Sequence, residues 1–470
     1  MKYQHLVIFF LGAVLLATSA PSAAAGKGGI PEDLIDRLSA DPLNDRDRAM
    51  SDILANQNIK NIALNRQRFI EHNKFVNHKI STANITNQES SGRCWMFAGL
   101  NVLRPQAMKN LKVKTIEFSQ NYILFWDKME KLNLFLQLMI DYADRPIDDR
   151  ELEYIINDVG GDGGWWPFFT ALVDKYGLIP KEVMPETVNS SSTGDMNKFL
   201  VLKAKEMGVR LREAARGDAS KKDLEEKKHE MLGEIYRLLI LHLGEPPREF
   251  TWRYETTDTT VKGTIVGTYT PQSFYRAAIT DTLADFIALF DLPMKEYFKN
   301  YSLRLSRNIY DMPDFTVLNL PIDTLKAYAM VSVIDSMPVW FTCDVGQENY
   351  SKDGIMALDI YDYEAILGTT FDLPKADLMR MRLIGPTHAM AFIGADTADG
   401  RAVKWLVENS WGDERGDKGM WYMYNDWFDR YMYGVIVHKR YLSEELKKLS
   451  RVEPIVLPPW DPMSCLKRLQ

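Results

Sequence analysis

The stretch Thr86-Asn87-Gln88-Glu89-Ser90-Ser91-Gly92-Arg93-Cys94-Trp95-Met96-Phe97-Ala98 passes abruptly from polar and glycine residues into an apolar, helix-patterned run. The pattern predicts a helix through Trp95, Phe97, Leu100 and Leu103 until Pro105, with Cys94 on its first turn. Backbone N–H groups without intrahelical partners and the positive end of the helix dipole meet there, and both favour a thiolate over a thiol. Cys94 is therefore the candidate nucleophile. Gln88, six positions upstream, is near enough in an irregular loop for its side-chain amide to join the Cys94 N–H in holding an oxyanion.

A thiolate mechanism needs a base, and the chain offers seven histidines: His5, His72, His78, His229, His242, His388 and His438. His388 stands in Pro386-Thr387-His388-Ala389-Met390-Ala391, at the entry to a strand-like apolar run that would fix its backbone and leave the ring facing a cleft. Glu408-Asn409-Ser410-Trp411-Gly412 follows 21 residues after His388. Asn409 can accept from the imidazole and orient it, and Trp411 can shield that bond from water. An uncharged partner suits a thiolate–imidazolium pair. The other cysteines read differently: Cys343, inside Pro338-Val339-Trp340-Phe341-Thr342, is an inert packing residue, and Cys465 lies near the chain end. His72 and His78, with five residues between them, are weak evidence for a metal site.

Working outward, the 470 residues are 46% hydrophobic and 26% charged, a globular profile with no need of a disulfide framework. The formal charge of −7 is opposite to the basic surplus of sequence-independent nucleic-acid binding, so no nucleic-acid partner is expected. Residues 1–25 read as a signal peptide: Lys2, an apolar run from Leu6 to Ala17, and Ala23-Ala24-Ala25 before Gly26. That run is shorter than the roughly 20 residues a spanning helix needs. The expectation is an exported protein, periplasmic or secreted, with no stable membrane anchor. Apolar residues at helical spacing from Pro31 to Phe75 (Met50, Ile53, Leu54, then Ile59, Ile62, Ala63) predict helices that serve as packing elements.

A second helical region spans Phe118 to Leu138, and Gly160-Gly161-Asp162-Gly163-Gly164 then breaks the chain. Dense charge from Met196 to about Leu243, with Leu232, Ile235, Leu238 and Leu239 on one face, predicts a surface helix. Phe250 to Tyr254 and the stretches 338–345, 389–395 and 403–408 read as strands. With no repeat and no flexible linker, one continuous architecture with insertions is expected.

These residues resemble the papain-like cysteine peptidases, and within them the bleomycin hydrolase and aminopeptidase C group. The papain pattern Cys-Gly-Ser/Ala-Cys-Trp here reads Ser91-Gly92-Arg93-Cys94-Trp95, without the first Cys. The Cys-to-His separation is 388 − 94 = 294 residues, against about 130–150 in papain, which implies insertions. The resemblance extends to Ala63-Leu64-Asn65-Arg66, Gly99 to Arg104, Lys175-Tyr176-Gly177, Asp344-Val345-Gly346, Val407 to Gly412 and Pro454 to Met463. It implies an α+β, papain-like fold over 26–470. A helical lobe would carry Cys94, helical insertions would occupy roughly 115–330, a β-rich lobe at roughly 331–450 would carry His388 and Asn409, and an arm at 451–470 would enter the cleft.

By position the resemblance makes Cys94 the nucleophile, His388 the general acid/base, Asn409 its orienting amide and Gln88 the oxyanion donor. Gly163 and Gly164 match the pair whose backbone aligns the substrate main chain. Trp165, where the family has Gln, and Trp411 are further substrate-site candidates. The implied activity is removal of N-terminal residues from peptides with free N-termini, by a homohexamer without metal or organic cofactor. In the family the terminal carboxylate of the arm receives the substrate ammonium. Here the chain continues past Met463 with Ser464-Cys465-Leu466-Lys467-Arg468-Leu469-Gln470, so an ungated endopeptidase is one alternative; a catalytically silent peptide-binding assembly, from the homohexamer that the resemblance implies, is the other.

Overall fold

The computed structural model describes residues 28–40, 43–260 and 264–464; the signal segment and the run from Cys465 to Gln470 lie outside them. The chain divides into two compact units, Met1–Ala63 and Leu64–Gln470. In the first, helices Glu32–Ser39, Asp45–Asn56 and Ile59–Ile62 form as their spacing predicts but bury none of their residues. Ile35, Leu38 and Ile53 are exposed. Everything below concerns the second unit.

The helix that begins at Cys94 does not stop at Pro105; it runs Cys94–Leu111. Proline inside a helix costs about 3 kcal/mol through its missing N–H and ring clash. Burying one large apolar side chain contributes about 1.5–3 kcal/mol, and this helix is buried continuously from Trp95 to Arg104 and again at Ala107 and Leu111. Packing on all sides therefore outweighs the local penalty. Gly99 marks the close crossing with helix Trp166–Tyr176, where an added Cβ would lie 2.7 Å from the Phe169 ring.

Helices Gln120–Asp141, Arg150–Asn157, Gly194–Arg216 and Lys221–Leu243 follow. The charged region read as one surface helix is thus two, interrupted after Arg216 at Gly217 and restarted by a capping box at Ser220. The hairpin Phe250–Glu255 and Thr264–Tyr269 comes next.

A mixed 12-stranded sheet forms the other lobe. Its centre is Val339–Cys343, paired antiparallel with His388–Ala398 on one side and with Met432–His438 on the other. Arg401–Glu408 pairs with His388–Ala398 in a register that sets Ala391 opposite Glu408. Residues 286–319 supply three strands, Phe286–Phe290, Lys299–Leu303 and Thr316–Asn319, to this same sheet. Ile455–Leu457 adds a parallel edge strand beside Lys299–Leu303. Val339–Cys343 is buried at every position, as a central strand covered on both faces must be. The Cys94 helix is joined to this sheet by Trp340 Nε1, which donates to the Trp95 carbonyl at 3.0 Å, and by the buried Arg104–Glu408 ion pair.

Candidate active site

Cys94 is the first residue of its helix, half-buried, and forms no disulfide. The loop before it is held by bonds that its sequence does not announce. Arg93 is fully buried and grips Glu186 through two parallel bonds of 3.0 and 2.8 Å, the strong bidentate geometry. Gln88 is buried; its Nε2 donates to the Ser91 carbonyl at 2.6 Å, and its Oε1 accepts from Ser410 Oγ at 2.7 Å. One Nε2 hydrogen is thereby engaged and the second is available to an oxyanion. The backbone N–H of Gln88 donates to Ser410, and that of Gly412 to Thr86, so the oxyanion loop and the Asn409–Trp411 segment are zipped together.

His388 opens its strand, directly opposite Cys343. Its Nε2 lies 2.8 Å from Asn409 Oδ1, and that same oxygen accepts from the Ser410 N–H at 2.8 Å. A backbone N–H can only donate, so the Asn409 atom is the oxygen and His388 Nε2 carries the hydrogen. Nδ1 is left as the basic nitrogen. Burial pushes the His388 pKa down to about 4, with the Asn409 bond acting in the opposite direction. A thiolate beside the ring is the charge that would restore the protonated form. Trp411 covers the imidazole with ring centroids 4.6 Å apart.

Cys94, Gln88, His388, Gly163, Gly164 and Trp165 line a single cavity of about 360 Å³. Asn409 and Trp411 stand behind His388 and are not part of that wall. Gly163 has open space where a Cβ would go, whereas a Cβ on Gly164 would lie 2.5 Å from the Trp95 indole. Trp165 stacks on Phe315 at 4.8 Å. Ser464 also lines the cavity, delivered by an arm fixed through the Lys295–Asp461 ion pair at 2.8 Å and the Arg150 guanidinium 3.9 Å over the Trp460 ring. Among the described residues no group of three or more His, Cys, Asp or Glu side chains gathers as metal ligands, and no helix is long and apolar enough to cross a membrane.

A thiol at a helix start, an imidazole with a fixed tautomer and an amide donor around one cavity form a cysteine-peptidase constellation. The Peptidase C1-like family model matches residues 30–464. The chain belongs to this family. The peptidase is 38% identical to aminopeptidase C of Listeria monocytogenes over 391 residues, covering 83% of this chain and 88% of that one. It is also 38% identical to human bleomycin hydrolase over 392 residues, covering 81% and 86%. The crystal structure of PepW from Lactobacillus rhamnosis superposes with a TM-score of 0.89 at 35% identity, over 93% of this chain and 99% of that one. The fold is papain-like, and the chain is a cysteine peptidase of the aminopeptidase C and bleomycin hydrolase group.

Sequence reasoning missed the peptidase's supporting charges: Arg93 with Glu186, Arg104 with Glu408, and Lys128 with Asp162. The one local signal was Asp162, the single acid within a run of glycines.

Proposed function

We propose that the peptidase removes N-terminal residues from peptides through an acyl-enzyme on Cys94. The Cys94 thiolate attacks the scissile carbonyl carbon, and the carbonyl electron pair moves onto oxygen, held by the Cys94 N–H and the free Nε2 hydrogen of Gln88. His388, protonated at Nδ1, gives that proton to the leaving amine as the C–N bond breaks. Water then attacks the thioester, His388 takes its proton, and the thiolate leaves with the acid product released. The observation that carries this reading is the shared cavity of Cys94, His388 and Gln88, with Asn409 Oδ1 2.8 Å behind the imidazole.

Ser464 in the cavity wall and the fully buried Met463 support a cleft narrowed by its own C-terminal arm. A narrowed cleft accepts a chain end and excludes an internal segment. Gly163 and Gly164 align the substrate main chain, and Trp165 bounds the subsite beside them. The proposal includes export through residues 1–25, supported by the apolar run Leu6 to Ala17, and a homohexamer, supported by the family resemblance.

The test pairs a fluorogenic amino-acid amide bearing a free N-terminus with a longer peptide blocked at its N-terminus, under reducing conditions, for the mature protein and Cys94→Ala. Cys94-dependent hydrolysis of the free substrate alone is expected. Cleavage of the blocked peptide would replace the reading with an endopeptidase, and cleavage of neither would leave a peptide-binding assembly.

A further inference from the structure

Beneath the glycine loop, helix Gln120–Asp141 delivers two ammonium groups to one place. Lys128, with 0% side-chain exposure, donates to the Gly160 carbonyl at 2.7 Å and to Asp162 Oδ1 at 2.6 Å. Lys131 donates to Asp127 Oδ2 at 2.7 Å and to the carbonyls of Gly161 and Gly163 at 2.9 and 2.7 Å. A fully buried ammonium is tolerated only when paired and hydrogen-bonded, so a pair this deep marks a place where geometry is held at a cost.

Asp162 also reaches the nucleophile. Its Oδ2 accepts from the Gly92 N–H at 2.9 Å and from Thr193 Oγ1 at 2.5 Å, and its Oδ1 accepts from Asn197 Nδ2 at 2.7 Å. Its backbone carbonyl accepts from Trp95 Nε1 at 2.6 Å. Gly92 precedes Cys94 by two residues and Trp95 follows it by one, so a single residue grips the nucleophile's segment on both sides. The two loops touch so closely that a Cβ on Gly92 would lie 2.8 Å from the Asp162 Cβ.

We infer that Asp162 is a positioning residue that, with Lys128, locks the loop carrying Cys94 to the glycine loop that aligns the substrate. Nucleophile, oxyanion site and substrate backbone then keep one geometry through the reaction, although Asp162 touches no reacting atom. The inference rests on the mechanism proposed above and deepens it. Preorganisation of this kind has leverage because small displacements of reacting groups cost large factors in rate.

The experiment compares wild type, Asp162→Asn and Thr193→Val in two assays on the full mature chain. One is kcat and KM for an amino-acid amide. The other is the rate and extent of Cys94 alkylation by iodoacetamide, which needs neither oxyanion site nor glycine loop. Asp162→Asn should lower kcat by thirtyfold or more while Cys94 stays fully alkylatable at a rate within threefold of wild type. Thr193→Val removes one bond to the same carboxylate without stranding a charge, and should lower kcat by three- to tenfold; it carries the test if Asp162→Asn fails to fold. A kcat within twofold of wild type in every folded variant would overturn the inference, as would a kcat loss matched by an equal loss of alkylatable Cys94. Failure of the parent mechanism looks different: hydrolysis absent from wild type, or undiminished in Cys94→Ala.

Discussion

The two halves of the cleft are held by different kinds of force. On the sheet side, His388 and Asn409 are aimed by strand registers and neutral bonds: Asn409 Oδ1 to the imidazole and to Ser410, and Thr342 Oγ1 to the His388 carbonyl at 3.1 Å. On the loop side, the segments around Gln88–Cys94 and Gly160–Gly164 lean on buried charge, Arg93 with Glu186, Lys128 with Asp162 and Lys131 with Asp127. A ladder satisfies its own backbone groups and fixes the side-chain directions it carries, whereas an irregular loop leaves carbonyls and N–H groups that need partners. Long cationic side chains from a neighbouring helix can reach those groups; apolar ones cannot. Around the nucleophile and the glycine loop, buried charge thus takes up the backbone groups that no ladder satisfies.

The largest effect falls on the chemistry that both halves share. Cys94→Ala and His388→Ala should each reduce kcat by roughly 10⁴–10⁶-fold, with little further loss in the double variant because the two act as one unit. Steady-state hydrolysis of an amino-acid amide measures this, and additive losses would contradict a thiolate–imidazolium pair.

At the seam between the halves, Arg104 of the Cys94 helix meets Glu408, next to Asn409, with side chains 1% and 0% exposed. Arg104→Met strands a buried carboxylate and should cost about 3–5 kcal/mol, while the Arg104→Met/Glu408→Met pair recovers most of it. Burial pushes the Glu408 carboxyl pKa up against the pull of Arg104, a desolvation cost that the apolar replacement removes. Equilibrium denaturation of the single and double variants decides it, and equal losses in both would mean that the pair itself is net stabilising.

Burial of His388 gives a pH signature. Its folded pKa of about 4 lies below the 6.5 of a free imidazole, so as pH falls the unfolded chain takes the proton first. The associated stability is complete above about pH 6.5 and lost as pH drops through 4, up to about 3 kcal/mol in total. In Cys94→Ser, where no thiolate faces the ring, this loss should be present, and a further His388→Gln change should remove it. Denaturation midpoints between pH 7 and 4 read the difference.

The contrast between the halves also explains what was legible. Cys94, His388 and Asn409 stand at transitions between polar and periodic apolar sequence, and local pattern is what a sequence displays. The strands at 339–343, 388–398 and 401–408 were readable for the same reason. The partners of Asp162 were not, because Lys128 and Thr193 lie 34 and 31 residues away and pairing at that range leaves no periodicity. Continuation of the helix past Pro105 was hidden too, since it depends on the surrounding core rather than on the proline. The helices before Ala63 show the converse, a pattern that forms its element yet leaves Leu38 66% exposed.

The smallest effect separates the two roles of the paired glycines. A Cβ on Gly164 would lie 2.5 Å from the Trp95 ring, so Gly164→Ala forces the helix that carries Cys94 to shift. That variant should lose stability and activity together. A Cβ on Gly163 meets nothing within 4 Å, and its φ lies outside the left-handed region, so Gly163→Ala should leave stability unchanged or raise it by about 0.4–1 kcal/mol through the less flexible unfolded chain. Its methyl group would point into the cavity where a substrate main chain is aligned, raising KM by about tenfold, the equivalent of about 1.4 kcal/mol, with kcat little altered. An unchanged KM in a fully folded Gly163→Ala would mean that the loop packs against the nucleophile's helix without aligning substrate, and Asp162 would then be anchoring Cys94 alone.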